Sequence, residues 1–158
     1  MKDILTELQS QRWFEKLGFA IKTIVRKRTA TGVDVDGKQF KKYSEPYARK
    51  RKRAGLQTHP VNLSWDDSFG MLYQITHEVF ADYSGVEVFF GNADKERIAV
   101  YHNISGAGKS RVIRKFWGLN QQEIDEVFEL AGEQLSQIAQ DITEEQIVNV
   151  LKKLEVTQ

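Results

Sequence analysis

The run "SGAGKS" at residues 105–110 holds the residue types that cradle phosphate. Gly108, Lys109 and Ser110 match the end of the G-x-x-x-x-G-K-[ST] loop, in which backbone N–H groups and a lysine surround a nucleotide's phosphates. The first glycine of that pattern falls on Asn103, and the following "RVIRKFWGL" opens poorly as the helix such a loop must precede. No later run reads as a buried strand ending in a magnesium-holding Asp. The segment therefore reads as a cationic Gly/Ser loop rather than a nucleotide site. Its glycines have much entropy to lose on ordering, which predicts a floppy loop in the free subunit. The remaining chemistry is sparse. His59, His77 and His102 never pair at three- or four-residue spacing, and the chain has no cysteine to complete a zinc site. Ser105 and Ser110 lack the strained elbow of a nucleophilic serine. Asp66 and Asp67 are adjacent, which suits a turn or a helix N-terminus better than an acid/base pair. The expectation is a protein without catalysis, cofactor or metal.

The strongest local signal is electrostatic. Arg49, Lys50, Arg51, Lys52 and Arg53 are consecutive, so on a helix they point nearly all round the axis. Between Lys22 and Arg53 there are twelve basic and three acidic residues, a local charge of +9. Between Asn120 and Gln158 there are two basic and nine acidic residues, a local charge of −7, while the whole chain carries only +1. Such polarity suits either phosphate binding at one pole or contact between opposite poles of neighbouring copies. In the first case residues 41–53 would neutralise DNA phosphates, with Tyr43 and Tyr47 placed to stack on bases. In the second, Arg49 to Arg53 of one copy would face Glu123, Glu126 and Glu133 of the next.

The elements that must position these groups follow from length and periodicity. A chain of 158 residues suits one domain, 1–158, with a substantial core. No apolar run approaches the roughly 20 residues that span a bilayer, and the opening "MKDILTELQSQ" lacks the apolar run of a signal peptide. Leu5, Leu8, Phe14, Leu17, Ile21, Ile24 and Val25 predict an N-terminal helix over about 3–28, with Gly18 inside it. A central part, about 32–119, begins with turns at Gly32 and Gly37. A short helix follows in "YSEPYARKRKRAG", capped by Ser44, tolerant of Pro46 and ended by Gly55. "LQTHPVNLSW" should be extended and "DDSFGMLYQI" should hold a helical turn. Ile75, His77 and Val79, then Val86, Val88 and Phe90, predict a hairpin around "ADYSG". "ADKERIAVYHN" fits a short helix or a third strand. From about 120 to 156 the chain reads as helical. Asn120 and Glu123 suggest a capping box, and Ile124, Val127, Phe128, Ala131, Leu135 and Ile138 form one stripe. A second stripe comprises Ile147, Val150, Leu151 and Leu154. The fold class is α+β: a small antiparallel sheet packed against an N-terminal helix and a C-terminal helix.

Three segments, in order, carry a resemblance: "GVDVDGKQFKKYSEPYARKRKRAG", "VNLSWDDSFGMLYQI" and "AVYHNISGAG…VIRKFWGLNQQEIDEVFEL". Gly37, Phe40, Tyr43, Ser44, Tyr47 and Lys50 match a glycine turn, an aromatic and a Tyr-Ser…Tyr…Lys pattern. Leu63, Gly70, Met71 and Leu72 follow more loosely. Tyr101, His102 and Gly106, then Arg114, Phe116, Gly118 and Leu119, match Tyr…His…Gly and Arg-Phe-Gly-Leu signatures. Together, over roughly residues 3–138, the chain resembles the virion morphogenesis or tail-completion proteins of long-tailed bacteriophages. Ile113 and Lys115 stand where that family commonly has proline. The resemblance implies a non-enzymatic structural protein of the virion, assembled in the host cytoplasm into a closed homo-oligomeric ring at the neck. It also implies contacts with other neck, connector and tail proteins, no membrane partner, and a loop carrying Lys109 and Arg111 toward a neighbouring subunit or DNA in the channel. "KFWGLN" is expected to be structural, fixing the angle of the C-terminal helix. The alternative reading is a DNA-binding accessory protein that uses residues 41–53.

Overall fold

The computed structural model describes residues 4–63 and 70–140. The expectations placed on 64–69, including Asp66 and Asp67, and on the stripe from Ile147 to Leu154 lie outside them. The side chains of Leu5, Leu8, Ala131, Leu135 and Ile138 lie outside the described ones as well.

Helix α1 runs over Ile4–Ala30. It ends because Gly32 adopts φ +82°, a conformation that costs a glycine little. Gly32 N–H then donates to Thr29 O at 3.0 Å and Val33 N–H to Arg28 O at 3.3 Å, the paired bonds of a Schellman end. Helix α2, Glu45–Arg53, ends the same way. Gly55 N–H donates to Lys52 O at 3.1 Å and Leu56 N–H to Arg51 O at 2.9 Å. Ser44 stands at the N-cap of α2 with extended backbone, but its hydroxyl makes no capping bond. A 3-10 turn over Met71–Gln74 leads into strand β1, Ile75–Val79. Strand β2, Val86–Phe90, pairs antiparallel with β1, from Ile75 opposite Phe90 to Val79 opposite Val86. The segment whose periodicity fitted helix or strand is helix α3, Ala93–Val100, continued by one π turn over Tyr101–Ser105. Asn92 caps α3, its Oδ1 accepting from the N–H groups of Asp94 and Lys95 at 3.0 and 3.1 Å. Helix α4 covers Gln121–Gln140.

The fold is α+β with helices at both ends, as the periodicity predicts. Helix α1 is the shared element. The hairpin packs on it, and α4 joins chiefly through it. The core holds Val25 from α1, Phe40, Val61 and Leu63 from the connections, Met71, Leu72 and Ile75 from the hairpin side, and Ala99 and Phe116. Gly18 has a packing reason: a Cβ there would lie 2.5 Å from Cδ2 of the His77 ring. The predicted α4 stripe splits at its middle. Val127 is buried, but Phe128 is 59% exposed, a correction to the single apolar face. Helix α4 packs chiefly on α1, and Phe128 lies about 100° round the helix from buried Val127.

Candidate functional site

Three residues of the segment pattern, Tyr47, Leu63 and Arg114, meet at Tyr43, and Arg51 joins them. The Arg51 guanidinium stacks over the Tyr43 ring at 4.8 Å and that of Arg114 over it at 5.4 Å. Arg51 donates from Nε to Gln57 O at 2.7 Å and from Nη2 to Asn62 Oδ1 at 3.2 Å. Arg114 donates to Lys41 O from both Nε and Nη2, at 3.1 and 2.9 Å, and from Nη2 to Lys42 O at 3.2 Å. Leu63 N–H donates to the Tyr43 hydroxyl oxygen at 3.2 Å, and Tyr47 meets the Tyr43 ring edge-on at 5.1 Å. Helix α2, the connection at Leu63 and the segment at Arg114 are thereby tied to one aromatic side chain. Burial raises the Tyr43 phenol's pKa above its ordinary value, opposed by the neighbouring Arg51, and burial lowers that of Arg114.

This geometry corrects one expectation. Arg51 is buried and belongs to the scaffold, not to an exposed basic surface. Five consecutive residues cover more than one helical turn, so one of the five had to face the body. Arg49, Lys50, Lys52 and Arg53 are exposed on α2, as are Lys41 and Lys42 just before it. Tyr47, expected to stack on bases, is 38% exposed. Gly37, at φ +78°, turns the segment in which Asp34 Oδ1 accepts from Asp36 N–H at 3.0 Å and Lys38 N–H at 2.8 Å, ahead of buried Phe40.

A second expectation changes at α4. Glu123 is not available to a neighbour: it pairs with Arg28, which also donates to Phe116 O and, at 2.9 Å, to Gly118 O. Both side chains are largely shielded, at 8% and 12% exposure. Glu123 also completes the capping box. Its carboxylate accepts from Asn120 N–H at 2.9 Å while Asn120 Oδ1 accepts from Glu123 N–H at 2.9 Å. Glu126, Glu129 and Glu133 stay exposed, and their spacing puts them on one face. Phe116 is fully buried, Gly118 has φ +106°, and Trp117 packs on Phe90 with ring centres 4.9 Å apart and planes tilted by 36°.

The Gly/Ser loop lies between a helix and an extended segment, not between a strand and a helix. It closes on itself. Ala107 and Val112 exchange backbone bonds at 3.0 and 3.1 Å, and Arg111 N–H donates to Gly108 O at 3.1 Å. Gly106 and Gly108 have φ +82° and +70°, and a Cβ on Gly106 would lie 2.3 Å from Arg111 O. The loop forms a tight hairpin that presents Lys109, Ser110 and Arg111 to solvent. Asn103, where a phosphate loop needs its first glycine, accepts Trp117 N–H at 3.0 Å instead. Beside it His102 is mostly buried, and burial followed by the Arg114 charge lowers its pKa to about 4. Its carbonyl accepts Arg114 N–H at 2.7 Å. Tyr101 faces outward, 49% exposed.

The three histidines occupy separate places. His59 lies in an exposed connection, His77 on β1 bonded to Glu15 at 2.9 Å, and His102 in the π turn. Among the described residues no group of three or more His, Asp or Glu gathers in metal-binding geometry. Among them, too, no helix is long and apolar enough to cross a membrane. Comparison with models of protein families, with curated proteins and with solved structures found no match to this chain.

Proposed function

We propose that this protein is a structural subunit of the neck of a long-tailed phage, a tail-completion or head–tail joining component that assembles as a closed ring. The observation that carries the proposal is the role of the pattern residues. Phe40, Tyr43, Arg114, Phe116 and Gly118 all go into scaffolding: two are core residues, two form the stacked cluster, and Gly118 turns the chain under Arg28. A signature spent on holding segments together suits a subunit whose work is done by its surface. That surface is sorted by charge, with exposed cations on α2 and the hairpin at 107–112 and exposed carboxylates on α4. Neighbouring virion proteins and further copies are the partners, and neither catalysis nor a cofactor is part of the reading. Negative-stain imaging of the purified protein tests it: closed rings of one size are expected, and only single subunits at every concentration would contradict it.

The exposed cations of α2 with Lys41 and Lys42 favour a second reading, neutralisation of DNA phosphates. A mobility-shift series on duplex DNA would then give a steep salt dependence. Replacing Arg49, Lys52 and Arg53 by Ala should flatten the slope by about 0.9 for each phosphate that is no longer neutralised.

A further inference from the structure

Helix α3 and its π turn expose an apolar face that the fold leaves uncovered. Ile98, Val100, Tyr101 and Ile104 are 41%, 40%, 49% and 67% exposed within seven residues. The backbone is continuous through the junction, with Val100 at φ −58°, ψ −43° and Tyr101 at φ −60°, ψ −43°. Ala99 packs inward on one side of the helix, which leaves Tyr101 and Ile104 outward on the other. The bond from Arg114 N–H to His102 O lays residues 112–114 alongside, adding Ile113, 48% exposed. The cationic hairpin with Lys109 and Arg111 rises directly from the end of the π turn. The result is an apolar patch with a positive rim. Contiguous exposed apolar surface beside charged residues marks interaction sites in soluble proteins.

The same chain carries a surface of matching chemistry. Helix α4 has no basic residue between Gln121 and Gln140. Phe128, 59% exposed, shares a patch of its surface with Asp125 and Glu129, both exposed and close to it by helical spacing. We propose that the α3–π-turn patch of one copy receives the acidic, Phe128-bearing face of α4 of a second copy. The charges select this occupant: apolar groups meet on both sides, and Lys109 and Arg111 meet carboxylates. Helix α2 is more cationic but offers only Tyr47 as large exposed apolar area, so it lacks the desolvating part of such a contact. The two surfaces differ, so the contact is head-to-tail and each copy keeps one of each free for the next. This rests on the ring reading and names its interface.

The absence of cysteine makes the test direct. A double variant, Tyr101→Cys with Phe128→Cys, is oxidised and run on a denaturing gel, beside each single variant and beside sedimentation of the parent protein. A ladder of dimer, trimer and higher species is expected from the double variant only, since each single variant can at most link two copies. Lys109→Glu with Arg111→Glu should remove the ladder, and adding Asp125→Lys with Glu129→Lys should restore it. Tyr101→Ser should weaken self-association at least about tenfold, with an unchanged melting curve. An oligomeric parent whose double variant gives no ladder overturns this interface and leaves the ring reading standing. A parent that sediments as a monomer throughout, with no ladder, overturns both.

Discussion

Phe116 is the residue on which the C-terminal part of the fold depends. It is fully buried and sits edge-on to Phe90 at 6.4 Å. Phe116→Ala should cost about 3–5 kcal/mol, measured as a shift in denaturant midpoint. Above it, Arg28 holds Glu123 and two carbonyls, those of Phe116 and Gly118. Arg28→Ala leaves a shielded carboxylate without its partner and should cost about 3–5 kcal/mol. Arg28→Lys should recover only part of this, because one ammonium cannot reproduce the planar fork that reaches three acceptors. A lysine variant as stable as the parent would contradict that account. His102 sets a pH dependence. Its folded pKa of about 4 lies below the ordinary 6.5 because burial disfavours the imidazolium. The unfolded chain therefore binds the proton more tightly, and acid favours unfolding. The stability linked to this group is complete above about pH 6.5 and is lost as pH falls through about 4, at most about 3 kcal/mol in all. Chemical denaturation from pH 7 to 4, with His102→Gln as the comparison, should show a steeper acid loss in the parent. Equal slopes would contradict a buried neutral His102.

At the scale of elements, the close approach of α1 to β1 is the contact most open to test. In an exposed helix Gly→Ala gains about 1 kcal/mol. At Gly18 the added methyl would overlap the His77 ring, with three ring or Cβ atoms within 2.9 Å. Overpacking of this kind costs about 1–3 kcal/mol, so Gly18→Ala should be destabilising. The same substitution in a His77→Ala background should be stabilising, and thermal melts of the four proteins read the reversal. The hairpin at 107–112 predicts the opposite behaviour: Lys109→Ala, on an exposed turn, should leave the melting curve unchanged. The elements themselves were largely legible in the sequence. Period-two alternation marked β1 and β2, and glycines marked the ends of α1 and α2, because those signals are local. What stayed hidden depends on contacts distant in the chain. Nothing near Gly18 announces His77, and five consecutive basic residues do not reveal that Arg51 is the one beneath Tyr43. Glu123 was legible as a cap but not as the partner of Arg28, which lies 95 residues away. Phe128 fitted the α4 stripe by spacing, yet α4 packs chiefly on α1 and leaves Phe128 exposed.

For the whole molecule, the sorted charge and the uncovered apolar surfaces are the features that the proposed assembly would use. Charged rims chiefly guide register and association rate, while the desolvated apolar centre holds the complex. Raising salt should therefore slow ring formation more than it loosens finished rings, which stopped-flow light scattering and sedimentation read separately. Rings that fall apart in high salt would mean that ion pairs, not Tyr101, Ile104 and Phe128, carry the contact. The charge polarity was visible in the sequence from residue counts alone, but its surfaces were not, because Arg51 and Glu123 are taken up inside the subunit. Tailed particles should be purified from cells carrying this protein's coding sequence and labelled with gold-conjugated antibody against the chain. The account predicts that the protein co-purifies with the particles, that gold marks the junction of head and tail, and that particles made without it leave heads and tails unjoined. A protein that stays behind in the soluble fraction while complete particles form without it would contradict the account.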